Sequence, residues 1–231
     1  QVVEVPLDAG FDLDVNSMAG AAFKKMPALT FLSYPNNPTG NCFSADRMEA
    51  VLDQSRGIVV VDEAYFNFSG KTFLPLIDHH DNLVILRTLS KVGFAAMRVG
   101  FLIGQPGLVH ELDKVRLPYN LNALSQLAAG FFLDHEAVFM DQIDAIVGER
   151  NRLWEKLKKL DGVQPFRSDA NFIFFSCAIE ADDIYRKLLH QGILVKPFPY
   201  PRGGRSCIRV TVGTKDENEA FIEALRSVIA K

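Results

Sequence analysis

The stretch that decides the fold is LVILRTLSKVGFAAMRVGFLIG, residues 83–104, in which a lysine lies between two short apolar runs. Residues 83–86 and 99–103 are too short for core helices, and they are rich in the Val, Ile, Leu and Phe of buried strands. We therefore predict two buried parallel strands. Ligands of an open parallel sheet bind beyond the carboxyl ends of its strands, so the residues after Leu86 are expected to face a crevice.

The connection between these two strands is more polar than a structural link requires. It contains two hydroxyls, a lysine, a glycine and an arginine, which are Thr88, Ser90, Lys91, Gly93 and Arg98. Two short hydroxyl donors and one forked cation match the oxygens of a bound phosphate. The pattern therefore predicts a phosphate site. It leaves two interpretations of Lys91, a residue that bonds covalently to a ligand or a solvated lysine on a loop.

Composition restricts the classes of partner. The 231 residues are 48% hydrophobic and 23% charged, which is typical of a globular protein with a substantial core. The formal net charge of -3 provides no basic footprint for nucleic acid, and no apolar stretch approaches the ~20 residues of a membrane helix. Cys42, Cys177 and Cys207 show neither metal-ligand spacing nor a disulfide pattern, which predicts no metal site and a reducing, cytoplasmic location.

Apolar periodicity and turn residues divide the first part of the chain into strands and helices. Strands are predicted at 1–5, 28–32 and 57–61, and helices at 16–26, after Ser44, at 106–117, and at 123–160 with a break at 134–135. The helix after Ser44 is expected to bury Met48, Val51 and Leu52. The sequence YPNNPTG, which ends at Gly40, has the composition of a turn.

Two acids directly follow the strand at 57–61. Asp62 and Glu63 stand where carboxylates are uncommon, because burying a carboxylate is costly without a partner. A helix cap is the alternative explanation of Asp62, but the following YFNFSGKTFLP shows no helical period. We interpret Asp62 as the partner of a cationic ligand atom.

The last part of the chain changes character. Strands are predicted at 170–175, 193–195 and 207–212, and helices at 181–191 and 215–229. Thr214 and Glu217 have the spacing of a capping box for the last helix. These elements predict a compact α+β lobe of about 80 residues, a usual domain size, with a boundary near residue 145.

Four motifs occur in an order that resembles the fold type I aminotransferases, which use pyridoxal phosphate. They are PNNPTG, VDEAY, TLSK followed by RVG, and IRVTVGT, and they span residues 34–213. RTLSK, the PYN at 118–120 and SDANFIFF make the chain look most like the histidinol-phosphate aminotransferase subgroup. The resemblance implies an α/β fold with a mostly parallel sheet flanked by helices. Residues 1–145 would form part of the large cofactor-binding domain and residues 146–231 a smaller α+β domain.

The resemblance also implies roles at the cofactor. Lys91 matches the lysine that forms a Schiff base with pyridoxal phosphate and later moves a proton, which requires an amine that can be neutral. Asp62 matches the carboxylate that pairs with the pyridine nitrogen. Tyr65 and Asn37 match the two groups that donate hydrogen bonds to the phenolic oxygen.

The remaining site residues are implied in the same way. Thr88, Ser90 and Arg98 match the residues around the cofactor phosphate. Arg209 matches the arginine expected to bind the substrate phosphate, and Asn171 is expected nearby as a further substrate contact. For Tyr119 and Asn120 of the PYN motif the sequence leaves two alternatives, a place in the site or a place at a subunit interface.

Two departures from the family pattern concern phosphate recognition. Lys91 and Arg98 are seven positions apart, whereas many members of the family place them eight apart. Lys196 follows GILV, residues 192–195, at a position where many relatives have arginine. The positive charge is therefore kept, but the guanidinium fork is lost.

The implied activity is transamination of histidinol phosphate with a 2-oxo acid, most simply 2-oxoglutarate, by a cytoplasmic homodimer in histidine biosynthesis. Family members are also expected to extend further at the N-terminus. An aromatic amino-acid aminotransferase or a threonine-phosphate decarboxylase of the same fold would use the same residues. A non-catalytic or truncated module of this fold is the alternative from another class.

Overall fold

The computed structural model describes residues 1–198 and 206–230. It divides into two compact units. The first comprises Gln1–Asn36 and Cys42–Met140, and the second comprises Asn37–Asn41 and the described part of 141–231. The two-domain division with a boundary near residue 145 stays a prediction.

A four-stranded sheet forms the first unit. Its strands are β1 (Leu29–Ser33), β2 (Ile58–Asp62), β3 (Leu83–Thr88) and β4 (Gly100–Gly104), in that spatial order. The first three strands are parallel, and β4 is antiparallel to β3. The expectation of a mostly parallel sheet is confirmed, but the parallel direction predicted for 99–103 is wrong. Residues 89–99 contain only two 3₁₀ turns, and a parallel connection needs a crossover of a dozen or more residues.

Helices accompany this sheet along the chain. They are α1 (Val15–Lys25), α2 (Ala45–Gln54), α3 (Phe66–Ser69), α4 (Pro106–Val115), α5 (Ala123–Asp134) and α6 (Glu136–Leu157), the last of which crosses the division between the units. The predicted burial of Met48, Val51 and Leu52 on α2 is confirmed. The predicted strand at 1–5 is wrong, because those residues adopt no regular structure and most of them are exposed.

The apolar stripe predicted in the helix 106–117 does not face a core. Within α4 no residue is buried, and Val115 is 78% exposed. Among the helices of residues 1–198 and 206–230, none combines the length and the apolar character that crossing a membrane requires.

An antiparallel sheet forms the second unit. Its strands are β5 (Val163–Pro165), β6 (Phe172–Cys177), β7 (Lys196–Phe198) and β8 (Cys207–Thr211), in the spatial order β5-β6-β8-β7. Strand β5 was not predicted from the sequence. The strand predicted at 193–195 is wrong, because pairing with β8 begins at Lys196. Pro199, which ends the VKPFP segment, lies outside the described residues.

Two helices, α7 (Ala181–Leu189) and α8 (Lys215–Ile229), pack against this sheet. The capping box at the start of α8 is confirmed, since the Thr214 hydroxyl accepts from the Glu217 amide and the Glu217 carboxylate accepts from the Thr214 amide. Gly192 follows α7 with φ 77°, a left-handed conformation that glycine adopts without strain. The central strand β6 is buried along its whole length.

Candidate active site

The carboxyl ends of β2 and β3 bring Asp62 and Thr88 to one face of the sheet. Asp62 pairs with Leu86 in the register of the two strands. Because side chains alternate along a strand, Thr88 lies on the same face as Leu86 and Asp62. The three residues line an open groove of about 430 Å³ at the strand ends, together with Ala64, Arg87 and residues 100–102 of β4. The carboxylate and the hydroxyl therefore face the same space.

Asp62 also ends its own strand. Its Oδ1 accepts a hydrogen bond from the Ala64 amide at 3.0 Å, which forms a local turn. The residue at the N-cap of α3 is Tyr65, so Asp62 is not a helix cap. Asp62 is half-buried, and its second oxygen remains available for a ligand.

Thr88, Ser90 and Arg98 form a polar cluster beyond β3. The Ser90 amide donates to Thr88 Oγ1 at 3.1 Å, and the Thr88 hydroxyl donates to the Val99 carbonyl at 3.2 Å. Nη1 of Arg98 donates to the Ala95 carbonyl at 3.1 Å and lies 3.4 Å from Ser90 Oγ. Two hydroxyls and a guanidinium thus converge within one loop, as phosphate binding requires.

The backbone at Arg98 is strained, and the surrounding packing holds it in place. Arg98 adopts φ 57°, a left-handed conformation that costs a non-glycine residue of order 1–3 kcal/mol and recurs at functional sites. Beneath it, Leu89, Val99 and Phe132 form a buried cluster. The Ser125 hydroxyl donates to the Met97 carbonyl at 2.7 Å. Helix α5 therefore supports the loop that carries the cluster.

Lys91 and Tyr65 lie beside each other at the same end of the sheet. Nζ of Lys91 is 5.2 Å from the centroid of the Tyr65 ring, within cation–π range. Lys91 is exposed on a 3₁₀ turn, whereas Tyr65 is only 9% exposed. The amine is accessible to a ligand, and the phenol beside it is held by the core.

The second unit brings Asn37 and Arg209 together. Arg209 Nη1 donates to Asn37 Oδ1 at 2.5 Å, and its guanidinium lies 5.1 Å from the centroid of the Phe172 ring. This bond directs the oxygen of the Asn37 amide to Arg209, so the amide nitrogen is the atom that can donate to a ligand. Asn171 precedes Phe172 and is half-buried, and its carbonyl accepts from the Val212 amide at 2.9 Å.

Lys196 is the site residue whose position the sequence did not reveal. It lies directly opposite Arg209 in the antiparallel pair β7-β8. Two cations at facing positions repel each other unless an anion lies between them. Pairing of the two short strands could have placed Lys196 opposite Arg209. The strand was wrongly predicted at 193–195, which ends before Lys196.

Tyr119 and Asn120 belong to the first unit and lie at its surface. Tyr119 is 98% exposed with φ 57°, and Asn120 Oδ1 accepts from Arg116 Nη1 at 2.9 Å. The structure thus brings together Asp62, Tyr65, Thr88, Ser90, Lys91 and Arg98 in one unit, and Asn37, Asn171, Arg209 and Lys196 in the other.

An α/β sheet whose strand ends carry an acid, a lysine and a phosphate-type cluster defines the class, the fold type I pyridoxal-phosphate-dependent enzymes. Residues 1–225 match the family model for aminotransferase class I and II, and the chain belongs to that family.

Two similar proteins are histidinol-phosphate aminotransferases. The chain is 44% identical over 226 residues to histidinol-phosphate aminotransferase 2 of Nitrosococcus oceani, a match that covers 96% of this chain and 62% of the relative. It is 42% identical over 230 residues to histidinol-phosphate aminotransferase of Aquifex aeolicus, which covers 99% of this chain and 64% of the relative. The chain therefore spans less than two thirds of the length of these relatives.

A solved structure of a histidinol-phosphate aminotransferase has the same fold as this chain. Histidinol-phosphate aminotransferase from Sinorhizobium meliloti, in complex with pyridoxal-5'-phosphate, superposes with a TM-score of 0.89 at 26% identity. The match covers 100% of this chain and 65% of that structure. The predicted fold type I architecture is confirmed.

Proposed function

We propose that the protein containing this chain is a pyridoxal-phosphate-dependent histidinol-phosphate aminotransferase. The observation that carries the proposal is the position of Lys91, whose amine lies beside Tyr65 and in the same short loop as the polar cluster of Thr88, Ser90 and Arg98. A covalent amine next to a phosphate cluster is what this cofactor requires. Relatives that share 42–44% identity carry the same name.

The residues of the first unit fit the cofactor by chemistry. Ser90 and Arg98 would hold its phosphate through hydroxyl and guanidinium donors, and Thr88 would do so by turning its hydroxyl from the Val99 carbonyl. Asp62, whose free carboxylate oxygen faces the groove, would pair with the protonated ring nitrogen. Tyr65 is the donor of this unit proposed for the phenolic oxygen, and the resemblance assigns the Asn37 amide nitrogen of the second unit the same role.

When bound, the cofactor supplies an electron sink for the negative charge that develops at the substrate α-carbon. Lys91 would take the proton from that carbon and deliver it to the C4′ carbon of the cofactor, and it must be a neutral amine to accept the proton. Asp62 would keep the ring nitrogen protonated, since a carboxylate favours the charged form of a neighbouring base. Tyr65 orients the lysine by holding its side chain against an aromatic ring.

The cation pair of the second unit supports a phosphorylated amino donor. Arg209 and Lys196 face each other across β7 and β8, and a phosphate between them would relieve their repulsion. Phe172 and Asn37 fix the guanidinium through ring stacking and one hydrogen bond. Asn171 is a further substrate contact in this proposal. The amino acceptor is a 2-oxo acid, with 2-oxoglutarate as the proposed compound.

Homodimer formation in the cytoplasm completes the proposal. Large apolar side chains that a monomer would leave in water surround the PYN segment, where Leu117, Tyr119 and Leu124 are 75%, 98% and 74% exposed. Several large apolar side chains exposed within eight positions of the sequence favour an interface. The cytoplasmic location is supported by the three cysteines, which form no disulfide in the described residues.

The decisive experiment is an absorbance titration of the full-length protein with pyridoxal phosphate. We expect a band near the visible edge that requires Lys91, is lost in Lys91→Ala and is bleached by histidinol phosphate. Lys24→Ala, an exposed lysine on α1, is the matched control and should retain the band. Wild-type protein without a band, or a band that persists in Lys91→Ala, would contradict the proposal.

Turnover separates the alternatives that share these residues. We expect amino transfer from histidinol phosphate to 2-oxoglutarate to exceed transfer from an aromatic amino acid, with no carbon dioxide released from threonine phosphate. Cofactor binding with turnover of the aromatic substrate alone, or with decarboxylation alone, would replace the proposed substrate. Cofactor binding without any turnover would favour a non-catalytic module.

A further inference from the structure

A buried carboxylate lies on the face of the first sheet opposite the one that carries Asp62 and Thr88, which we call the cofactor face. Glu63 is 1% exposed, and its carboxylate is held by three residues. The Thr72 hydroxyl lies 2.9 Å from both of its oxygens and can donate its one proton to either, and the Phe73 amide donates at 2.7 Å. Arg87 donates from Nε at 3.0 Å, and its Nη2 forms an ion pair with Oε2 at 2.9 Å. Burial of a carboxylate is costly, and this carboxylate is fully satisfied.

Arg87 is held as firmly as Glu63. Its Nη2 also donates to Thr72 Oγ1 at 2.8 Å, and its Cζ lies 3.6 Å from the centroid of the Phe66 ring. Only 21% of its side chain is exposed. We call Glu63, Thr72 and Arg87, with the Phe73 amide and the Phe66 ring, the Glu63–Arg87 network.

The network joins the two strands that carry the proposed cofactor residues. Glu63 follows Asp62, and Arg87 precedes Thr88. Asp62, Leu86 and Thr88 share one face, so alternation places Arg87 on the opposite face. The Glu63 amide donates to the Leu86 carbonyl at 2.8 Å, which continues the pairing of β2 and β3 by one residue. A displacement of Glu63 or Arg87 would shift the backbone that each shares with its neighbour, Asp62 or Thr88.

We propose that Glu63 and Arg87 are positioning residues that set the spacing between Asp62 and Thr88, and with it the affinity for the cofactor. A contribution to stability alone does not explain the Glu63–Arg87 network, because a buried ion pair usually stabilises a fold no more than apolar residues of the same size. Several directional hydrogen bonds instead define one geometry. Asp62 and Thr88 would meet opposite ends of the cofactor, so the distance between them must match its length. This inference rests on the proposed function.

The test compares a neutral pair with the native pair in the full-length protein. The double variant Glu63→Gln/Arg87→Met keeps an acceptor for Thr72 and Phe73 and removes both charges together. Arg87→Lys keeps the charge and loses the fork. Asp8→Asn/Arg47→Met is the matched control, since it neutralises a 2.6 Å ion pair of the same unit that does not involve the proposed cofactor residues.

Three quantities are measured for each variant: the thermal midpoint of the protein without cofactor, the Kd for pyridoxal phosphate, and the pH midpoint of its absorbance band. We expect the Kd of the double variant and of Arg87→Lys to rise about ten- to hundredfold, because hydrogen bonds to charged groups lose their alignment. The band midpoint should also move, since the distance from Asp62 to the ring changes. In the control, Kd and band midpoint should stay near the wild-type values.

The outcomes separate this inference from the proposed function. A variant that folds with a lower thermal midpoint but keeps the wild-type Kd and band midpoint would show that the network is only structural, and the inference would be wrong. If the double variant does not fold, the same criterion applies to Arg87→Lys. Cofactor binding that depends on the network without turnover of histidinol phosphate would refute the proposed substrate alone. Wild-type protein that takes up no cofactor would refute both.

Discussion

Replacing Arg209 by lysine tests the proposal that this arginine binds the phosphate of the amino donor. The guanidinium is anchored by Asn37 at 2.5 Å and by the Phe172 ring at 5.1 Å, which leaves its other nitrogens for a phosphate. Arg209→Lys keeps the positive charge, so long-range attraction persists. It removes the fork that binds two phosphate oxygens at once and the fixed contact with Asn37.

The expected loss follows from the hydrogen bond that disappears. A hydrogen bond to a charged group contributes about 1.5–3 kcal/mol, and each 1.4 kcal/mol is a factor of ten. Loss of one such bond to the substrate phosphate therefore predicts that kcat/KM for histidinol phosphate falls about 10- to 150-fold. Asn37 loses the guanidinium as its hydrogen-bond partner as well.

The assay is steady-state transamination by the full-length enzyme with histidinol phosphate and, separately, with histidinol. Histidinol lacks the phosphate, so its weaker turnover should respond much less to the substitution. Arg186→Lys on α7 is the matched control, because Arg186 is a surface arginine that pairs only with Asp183 at 3.8 Å among the ion pairs of the described residues. Equal losses for the two substrates, or an unchanged kcat/KM for histidinol phosphate, would refute phosphate binding by Arg209.

Four further predictions concern stability and reactivity. Thr214→Ala removes the N-cap of α8 and should lower the free energy of unfolding by about 0.5–2 kcal/mol in urea titration; an unchanged midpoint would contradict the capping role. Hydrogen bonds from Thr214 lower the pKa of Glu217, so the stability from this carboxylate is present above its ordinary pKa and is lost as the pH falls through the lower folded pKa. Acid titration of wild type should therefore show an acid-dependent loss that is smaller in Thr214→Ala. Gly40→Ala should destabilise the fold by about 1–3 kcal/mol, because Gly40 has φ +83° and a Cβ there would lie 2.5 Å from Ser168 Oγ; wild-type stability would argue against this conformation. Burial raises the pKa of Cys177 to about 12, so its thiol should resist alkylation at pH 8 until the protein unfolds, and rapid labelling of the native protein detected by mass spectrometry would contradict this.

The features that the sequence determined by itself are local ones. The capping box of α8 depends on residues three positions apart, and the apolar face of α2 depends on residues within one turn. The polar cluster of Thr88, Ser90 and Arg98 could be recognised because its members share one loop. The order of the motifs indicated the family, since each motif is a short segment with its own chemistry.

The tertiary structure decided what depends on distant partners. The direction of β4 and the start of β7 follow from pairing with other strands, which apolar content does not specify. Glu63 and Arg87 are separated by 24 positions, and nothing local identifies them as partners. Lys196 and Arg209 face each other only through register. Local patterns arise from contacts within a few residues, whereas strand direction, register and buried charge pairs are selected by the free energy of the whole packed unit.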